Sequence, residues 1–421
     1  MVARPDTVTT SVGMTLREDD AHQRFRSKAR AWLASNLPSG ELPPAHTREG
    51  FELRRDWERR LFEAGWAAVH WPSEYGGRDA TVRESAIFTE EYLRAGAPER
   101  INGLGLNLLG PALLEFGTLA QCRRWLPSIL RCDDIWCQGF SEPDAGSDLA
   151  GLRSVARRDG DEFVVDGQKI WTSLAGFGDW IFALVRTDPL APKHRGITML
   201  AIDLRSEGVD IRPLRQLDGD PSFAEVFFSG VRVPTDQVIG DVADGWRVAM
   251  HALGLERGSS FGAHVGCSRD VDALVRLREI VAEHLADDLA DGDLDDRIAR
   301  VLVRSEAYRA MSRRMLTRDE LGIAHPAEAS AAKLFRTELR HETFDLGIEL
   351  LGELGELSPG SDELSSRFGA EFDAIWRHWH HEYWYARAAK IFAGTSEVQR
   401  NIIAERWLGL PKEGRDVARA G

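Results

Sequence analysis

The chain has 421 residues, 43% hydrophobic and 29% charged, with a formal net charge of −14 and a pI near 5.4. This is the composition of an ordinary globular protein, long enough for two or three packed domains instead of a single core. The acidic balance and the lack of a basic stripe argue against a purpose-built nucleic-acid binder, and the sequence has no run of about eighteen apolar residues that would span a membrane.

Of the 53 basic residues only six are lysines (Lys28, Lys169, Lys193, Lys333, Lys390 and Lys412), a bias that reads as genome composition. Cys122, Cys132, Cys137 and Cys267 form no CxxC pair and are joined by no His cluster at zinc spacing, so they read as reduced, mostly buried thiols. The first fifteen residues are polar and show no basic segment followed by an apolar one. No secretory signal is therefore expected, and the expected location is the cytoplasm.

Three zones follow one another along the chain. Residues 1–15 read as a flexible N-terminus. A helical period runs from about Leu16 to Leu130, with Phe25, Ala29, Trp32 and Leu33 on one face, Leu53, Trp57, Leu61 and Phe62 on another, and Leu108, Leu113, Leu114 and Phe116 on later ones. Pro38, Pro43-Pro44 and Gly76-Gly77 punctuate it. From about Ile135 to Gly240 the pattern turns to short strands. Phe163 to Ile170 reads as two strands around an Asp166-Gly167 turn, and 180–185, 197–202, 225–228 and 231–234 are further strand candidates. From Trp246 onward the helical period returns, with expected helices over His264–Leu289, Arg297–Thr317, Ala327–Leu351 and Phe372–Leu408 and an acidic, solvated linker over Ala286–Asp296. The expected fold class is α+β: an N-terminal helical domain over 16–134, a β-barrel-like middle domain over 135–240 and a C-terminal four-helix bundle over 241–421.

Several stretches carry chemistry. An aromatic cofactor ring is apolar on its faces and needs hydrogen-bond partners along its edge. Small hydroxyls and backbone groups in a tight loop meet that need, and an indole can lie against the ring system. The run Gln138-Gly-Phe-Ser-Glu-Pro-Asp-Ala-Gly-Ser-Asp148 and the triplet Trp171-Thr172-Ser173 have that character, and Ser147 sits in a turn. The bland alternative is a ligand-free hairpin loop. Gly394-Thr395-Ser396-Glu397 follows an aromatic-rich stretch. It reads equally as a helix start, with Thr395 or Ser396 as cap, and as a place for a cofactor's polar tail. The cluster His378, His380, His381 with Trp376, Trp379, Tyr383, Trp384 and Tyr385 lacks ligand spacing and reads as helix packing or pocket lining, not a metal site. No strand-associated Gly-x-Gly-x-x-Gly is present, which disfavours a dinucleotide fold.

Taken in order, Gln138–Asp148, Trp171-Thr172-Ser173, Leu255-Glu256-Arg257 and Ala393–Asn401 running into Ala404–Gly409 resemble the acyl-CoA dehydrogenase family over nearly the whole chain. The resemblance implies a helical–β–helical fold and FAD as cofactor. It also implies an acyl-CoA substrate, an electron-transfer flavoprotein as electron acceptor, and a dimer, tetramer or heteromer with a related subunit. It places cofactor contacts at Gln138, Phe140, Ser141, Trp171, Thr172, Ser173, Gly352, Thr395 and Glu397, and substrate contacts at Ser147, Arg257 and Gly394.

Proton removal α to a thioester needs a carboxylate whose pKa is raised toward neutrality. The family's commoner base position, immediately before the late Gly-Thr, is Ala393 here. The family's alternative position, in the Glu-Arg pair, is Glu256, so the pattern resembles the isovaleryl-CoA and long-chain acyl-CoA arrangement with Glu256 as base. Read alone, Glu256 is a surface helix glutamate paired with an arginine. Two elements depart from the family. Its Arg-x-x-Phe-Gly contact to FAD is missing, with Arg276 or Arg278 as the substitutes at hand. Its Gln-x-x-Gly-Gly segment reads Glu349-Leu-Leu-Gly352-Glu353, placing acids toward a pyrophosphate. These departures imply either a heteromer in which a related chain completes the site or a homo-oligomer with drifted contacts. A site-completing subunit without a full active site, or a flavin oxidase or hydroxylase of the same fold, are the alternative functions.

Overall fold

The computed structural model describes residues 18–40, 42–258, 262–284, 292–357, 359 and 362–412; the side chains of 255–258, 284, 292, 326, 362–365 and 370 are not described. The expected flexible segment 1–15 lies outside the described residues. The chain opens with α1 (Asp20–Asn36), α2 (Arg48–Glu63), α3 (Val82–Arg94), α4 (Gly110–Phe116) and α5 (Leu119–Arg131). Asp19, Thr47, Thr81 and Thr118 each accept a first-turn N–H, and Glu84 and Gln121 close two of these caps into capping boxes. A π-helical turn, Gly105–Leu109, runs directly into α4. The apolar faces of these helices meet around Trp57, Trp66, Trp71, Leu109 and Trp125.

The middle of the chain forms one eight-stranded sheet from β1 (Trp136–Gly139), β2 (Val155–Asp159), β3 (Glu162–Ser173), β4 (Trp180–Arg186), β5 (Ile197–Asp203), β6 (Val209–Leu214), β7 (Phe223–Pro234) and β8 (Val238–Ile239). The order is β6-β7-β3-β2-β4-β5-β8, and β1 lies parallel to β4. In β4 and β5 every residue but the last is buried, because the two faces serve different cores. Trp180, Phe182 and Leu184 face the N-terminal helices, while Ile181, Ala183 and Val185 pack with Val165, Val226 and Val231 inside the sheet domain. A nearly continuous apolar run is the signature of such double coverage.

The expected turn at Asp166-Gly167 is not one. β3 runs through it, pairing with β2 and β7, and the chain instead reverses at Gly160, where φ is +63°. Gly167 answers a close approach: a Cβ there would lie 2.3 Å from Ser154 Oγ. The register shift between Val165 and Gly167 marks a bulge.

The helical remainder comprises α6 (Gly245–Gly258), α7 (Ala263–His284), α8 (Gly292–Glu320), α9 (Pro326–Leu351), α10 (Asp362–Ala389) and α11 (Ser396–Ile402). Helices α7 to α10 share a core with Leu274, Leu277, Tyr308, Phe344, Trp376 and Trp379. Helix α6 differs, because its Val248, Ala249 and Ala252 join the N-terminal core while it also touches β5, the π turn and α9. It therefore links all three parts of the fold.

Two expectations for this region are corrected. The single helix expected over Phe372–Leu408 is broken: α10 ends at Ala389 and α11 starts at Ser396, with left-handed backbone at Ala393 (φ +53°) and Gly394 (φ +86°) between them. The acidic linker is in part helical, since residues 292–296 open α8, and its earlier residues lie outside the described ones. Among the described residues no helix is long and apolar enough to cross a membrane, and no group of three acidic, His or Cys residues forms a metal site.

Candidate functional site

The sheet side of the site is built on the loop leaving β1 and on the end of β3. Glu142 and Ala145 bond each other reciprocally, N–H to carbonyl, at 3.1 and 3.0 Å and fold the loop into a tight turn. The Glu142 carboxylate accepts the Arg153 N–H (2.6 Å), the Ser154 N–H (2.9 Å) and the Lys169 ammonium (2.7 Å). Ile170 N–H donates to Ser141 O at 3.0 Å, and Lys169 Nζ donates to Phe140 O at 3.3 Å. Strand β3 thus holds the loop from behind. At its end Trp171 takes a left-handed backbone (φ +60°) that turns its indole out, leaving it 56% exposed and edge-on to Phe223 at 6.0 Å. A bulky residue at positive φ is held there by its surroundings, which makes Trp171 a candidate functional residue. Thr172 points inward, fully buried, and its Oγ1 has no partner among the described residues. Ser173, half-buried, ends the strand, Gln138 is half-buried on β1, and Ser147 is exposed in the loop.

The helical side is the turn between α10 and α11. Gly394 O accepts from Lys333 Nζ on α9 at 2.8 Å and from Gln399 Nε2 at 3.2 Å, and Ala393 O accepts from Gln399 Nε2 at 2.8 Å. With those carbonyls turned inward, the N–H groups of Ala393, Gly394 and Thr395 donate to nothing among the described residues. Thr395 caps α11 through a bond from Val398 N–H at 3.2 Å, and Glu397 stands exposed in its first turn. The cap reading of this segment is therefore realised, and it leaves the preceding N–H groups unoccupied.

A line of side chains joins the two sides. Trp171 meets Phe223, the first residue of β7; Asp218, in the β6–β7 connection before it, meets His381 at 3.0 Å; His381 stacks on Tyr385 at 6.0 Å; and Tyr385 meets Phe392 at 5.7 Å, next to Ala393. His378 bonds Asp270 at 3.5 Å, so two histidines of the aromatic cluster serve helix and domain contacts. Glu256 and Arg257 occupy the last turn of α6, the helix that touches β5, the π turn and α9; their side chains lie outside the described ones. Gly352 is not part of this grouping. It closes the far end of α9 (φ +53°), about 28 Å along the helix axis from Lys333 at 1.5 Å per residue. Arg276 is bound to Glu371 (2.8 and 2.9 Å) and Glu279 (3.0 Å), and Arg278 to Asp295 (2.9 Å). Glu349 is paired with Arg297 through two bonds of 2.5 and 2.7 Å. Each proposed phosphate substitute is thus committed to a carboxylate of its own chain.

Burial dominates the electrostatics behind the sheet wall. Removal from water pushes the Lys169 ammonium down to about 8, and the Glu142 carboxylate only partly offsets that. Burial works against the Glu142 charge too, but Lys169 and the bonds from Ser154 and Arg153 outweigh it and hold the carboxyl below its usual range. Glu142 and Gln399 lie inside the quoted motifs but were given no role, and Lys169 and Lys333 were not singled out as site residues. The available signal was a lysine inside a strand and another inside a helix of a chain that otherwise uses arginine.

The sequence matches the acyl-CoA dehydrogenase N-terminal domain over residues 19–133, the middle domain over 137–231 and the C-terminal domain over 243–408. The chain belongs to the acyl-CoA dehydrogenase family. It is 39% identical to acyl-CoA dehydrogenase IpdE1 of Mycobacterium tuberculosis, across 93% of this chain and 99% of that protein. Among solved structures it is similar to the Tcur3481-Tcur3483 steroid ACAD (TM-score 0.78, 31% identity, 94% of this chain and 99% of that one). It is also similar to the ChsE4-ChsE5 complex from Mycobacterium tuberculosis (TM-score 0.76, 31% identity, with the same coverage). The chain is accordingly an oxidoreductase of acyl-CoA dehydrogenase type, and the family's cofactor is a flavin. The residues present fit such a group. An exposed indole supplies an apolar wall, unengaged N–H groups line the helical side, and the buried oxygens Thr172 Oγ1, Ser396 Oγ and Gln399 Oε1 lack partners among the described residues.

Proposed function

We propose that the chain binds FAD between the β1 loop with Trp171 and Ser173 on one side and the Ala393–Thr395 turn on the other, and dehydrogenates the α,β bond of a coenzyme A thioester. Bound FAD would supply the hydride acceptor for the β-carbon. The chain's own part is to orient and deprotonate. Trp171 lies against the ring, Phe140 and Ser141 border its polar edge, Ser147 and Arg257 take the coenzyme A chain, and Thr395 and Glu397 meet the cofactor's tail. Glu256 removes the α-proton. As that proton leaves, negative charge grows on the thioester oxygen, and fixed N–H donors are the usual means of stabilising it; the Ala393 and Gly394 N–H groups are available for this. With alanine at position 393, a carboxylate must come from elsewhere, and α6 carries one to the junction of all three domains.

The single observation that supports this reading most is the turn at Ala393-Gly394. Its carbonyls are tied inward by Lys333 and Gln399, and three successive N–H groups are left for a ligand.

The acyl group is proposed to be bulky and ring-bearing, in keeping with the steroid ACAD that the chain resembles, with an electron-transfer flavoprotein as electron acceptor. The assembly is proposed to be a heteromer with a related subunit. Gly352 closes the end of α9 away from Lys333, Arg276 and Arg278 are paired with carboxylates of this chain, and a similar structure is a ChsE4-ChsE5 complex.

The deciding experiment is the visible spectrum of the chain purified alone and after co-expression with a related chain, with FAD per chain counted after denaturation. Flavin that is bleached anaerobically by an acyl-CoA supports the reading. A protein that takes up no flavin in either form sinks it.

A further inference from the structure

We propose that Lys169 and Lys333 are a matched pair of positioning residues, each gripping from behind a peptide unit that turns a backbone N–H toward the bound cofactor or thioester. This rests on the site described under Proposed function.

Four of the chain's six lysines are not buried, but Lys169 is 0% and Lys333 4% exposed. Burying an ammonium costs several kcal/mol after relaxation, so a plain packing position would hold an apolar side chain. The two lysines sit on unrelated elements, β3 and α9, yet do the same thing. Lys169 Nζ donates to Phe140 O and Lys333 Nζ to Gly394 O. In a trans peptide the carbonyl and the following N–H point in opposite directions. Drawing Phe140 O inward aims Ser141 N–H outward, and drawing Gly394 O inward does the same for Thr395 N–H. Both N–H groups are without an acceptor among the described residues. A charged donor on the carbonyl also polarises the peptide and strengthens its N–H as a donor, as in any hydrogen-bonded chain.

The choice of lysine follows from the same geometry. A compact head with three donors fits behind a tight turn, where a planar guanidinium needs more room. At the β1 loop the grip is doubled, since Lys169 also holds Glu142, which in turn fixes the backbone at Arg153 and Ser154. At the second turn Gln399 shares the load on Gly394 O.

The test uses the full chain in its FAD-binding assembly with three variants: Lys333→Met, Lys333→Arg, and Lys169→Met combined with Glu142→Gln so that no carboxylate is left buried alone. FAD dissociation is measured by flavin fluorescence, the bound flavin by its visible circular dichroism and midpoint potential, and the fold by melting of the apo-chain. The two Met variants are expected to bind FAD at least tenfold more weakly and to change the visible dichroism, with little change in apo-chain melting. Lys333→Arg is expected to recover part of the loss, since a donor remains. If reduced flavin is held less well than oxidised flavin by a further factor of ten, the potential falls by about 30 mV for the two-electron couple. Should the Met variants fail to fold, Lys333→Gln and Glu142→Gln, which keep hydrogen bonding in the interior, are judged by the same readouts. Variants that hold FAD within twofold of wild type with unchanged dichroism overturn the proposal. A wild-type chain that takes up no FAD at all overturns the function reading and this inference with it, and the two failures are told apart by the wild-type control alone.

Discussion

The sheet wall and the helical wall of the proposed site are held in the same way but differ in how complete they are. At the sheet wall everything needed lies within one stretch: the β1 loop, the Glu142–Lys169 pair behind it and the exposed Trp171 at its edge. The helical wall is divided. Its near part, the Ala393–Thr395 turn, is tied to the start of α9 by Lys333, while Gly352 closes the opposite end of the same long helix and Arg276 and Arg278 are locked in surface ion pairs. A helix of that length cannot bring both ends to one ligand. In the proposed site, sheet-borne contacts are local, whereas helix-borne contacts spread along a rod whose far end would serve a second chain.

The largest expected effect tests the chemistry the two walls enclose. Glu256→Gln should lower kcat by at least about a hundredfold, the lower range for losing a general base, while FAD content stays that of wild type. Steady-state turnover and flavin stoichiometry check it, and more than a few per cent residual activity would remove Glu256 from the role.

The next effect concerns the sheet wall alone. Lys169 has a folded pKa near 8 against 10.5 for a free lysine. Because the folded value is depressed, the unfolded chain binds the extra proton between those limits, and stability rises with pH there. Below pH 8 the penalty for the buried charge is fully present. Relative to the Lys169→Met, Glu142→Gln variant, wild type should therefore gain on the order of 2 kcal/mol between pH 7 and pH 10. Denaturant unfolding of both proteins at the two pH values reads it out, and a flat difference would mean that Lys169 stays charged throughout.

A smaller effect separates the cofactor's apolar contact from the hydrogen bonds. Trp171 is more than half exposed, so Trp171→Ala should leave the melting temperature nearly unchanged. It should weaken FAD binding about threefold to tenfold, as loss of one aromatic contact implies. Unchanged FAD affinity would shift the flavin away from the end of β3.

The order helices–sheet–helices was readable from hydrophobic period, because every element buries an apolar face, even though one face of β4 and β5 and helix α6 share the N-terminal core. The double-sided burial of β4 and β5 showed as unbroken apolar runs. What failed were the breaks and turns. Asp166-Gly167 has the letters of a hairpin, but the glycine there answers the approach of Ser154, which no local pattern reveals. The helix start at Thr395 was legible as a cap, but the left-handed backbone at Ala393 before it was not, because alanine is a good helix former and the turn is held by bonds from Lys333 and Gln399. Motif letters picked out the residues of the proposed site. The lysines behind them were missed because a buried cation is recognised by its partners, which lie 29 and 61 positions away in the chain.

The smallest effect is the one that bears most directly on the comparison of the two walls. Arg276 is the nearest substitute for the missing FAD contact, yet its guanidinium is shared between Glu371 and Glu279 on the surface. Exposed ion pairs of this kind are worth about 0–1 kcal/mol. Arg276→Ala should therefore change stability little and leave FAD affinity within about twofold, whether the chain is alone or assembled. The result depends on which chain meets the cofactor's phosphates. If a related subunit supplies the cation, Arg276 is a bystander and the substitution is silent. If two copies of this chain share the site, Arg276 must leave its carboxylates to reach the partner's cofactor, and its loss would cost tenfold or more in FAD binding. Titrating FAD into wild type and variant decides between the two, and a tenfold loss would make the far end of the helical wall a working contact and the heteromer unnecessary.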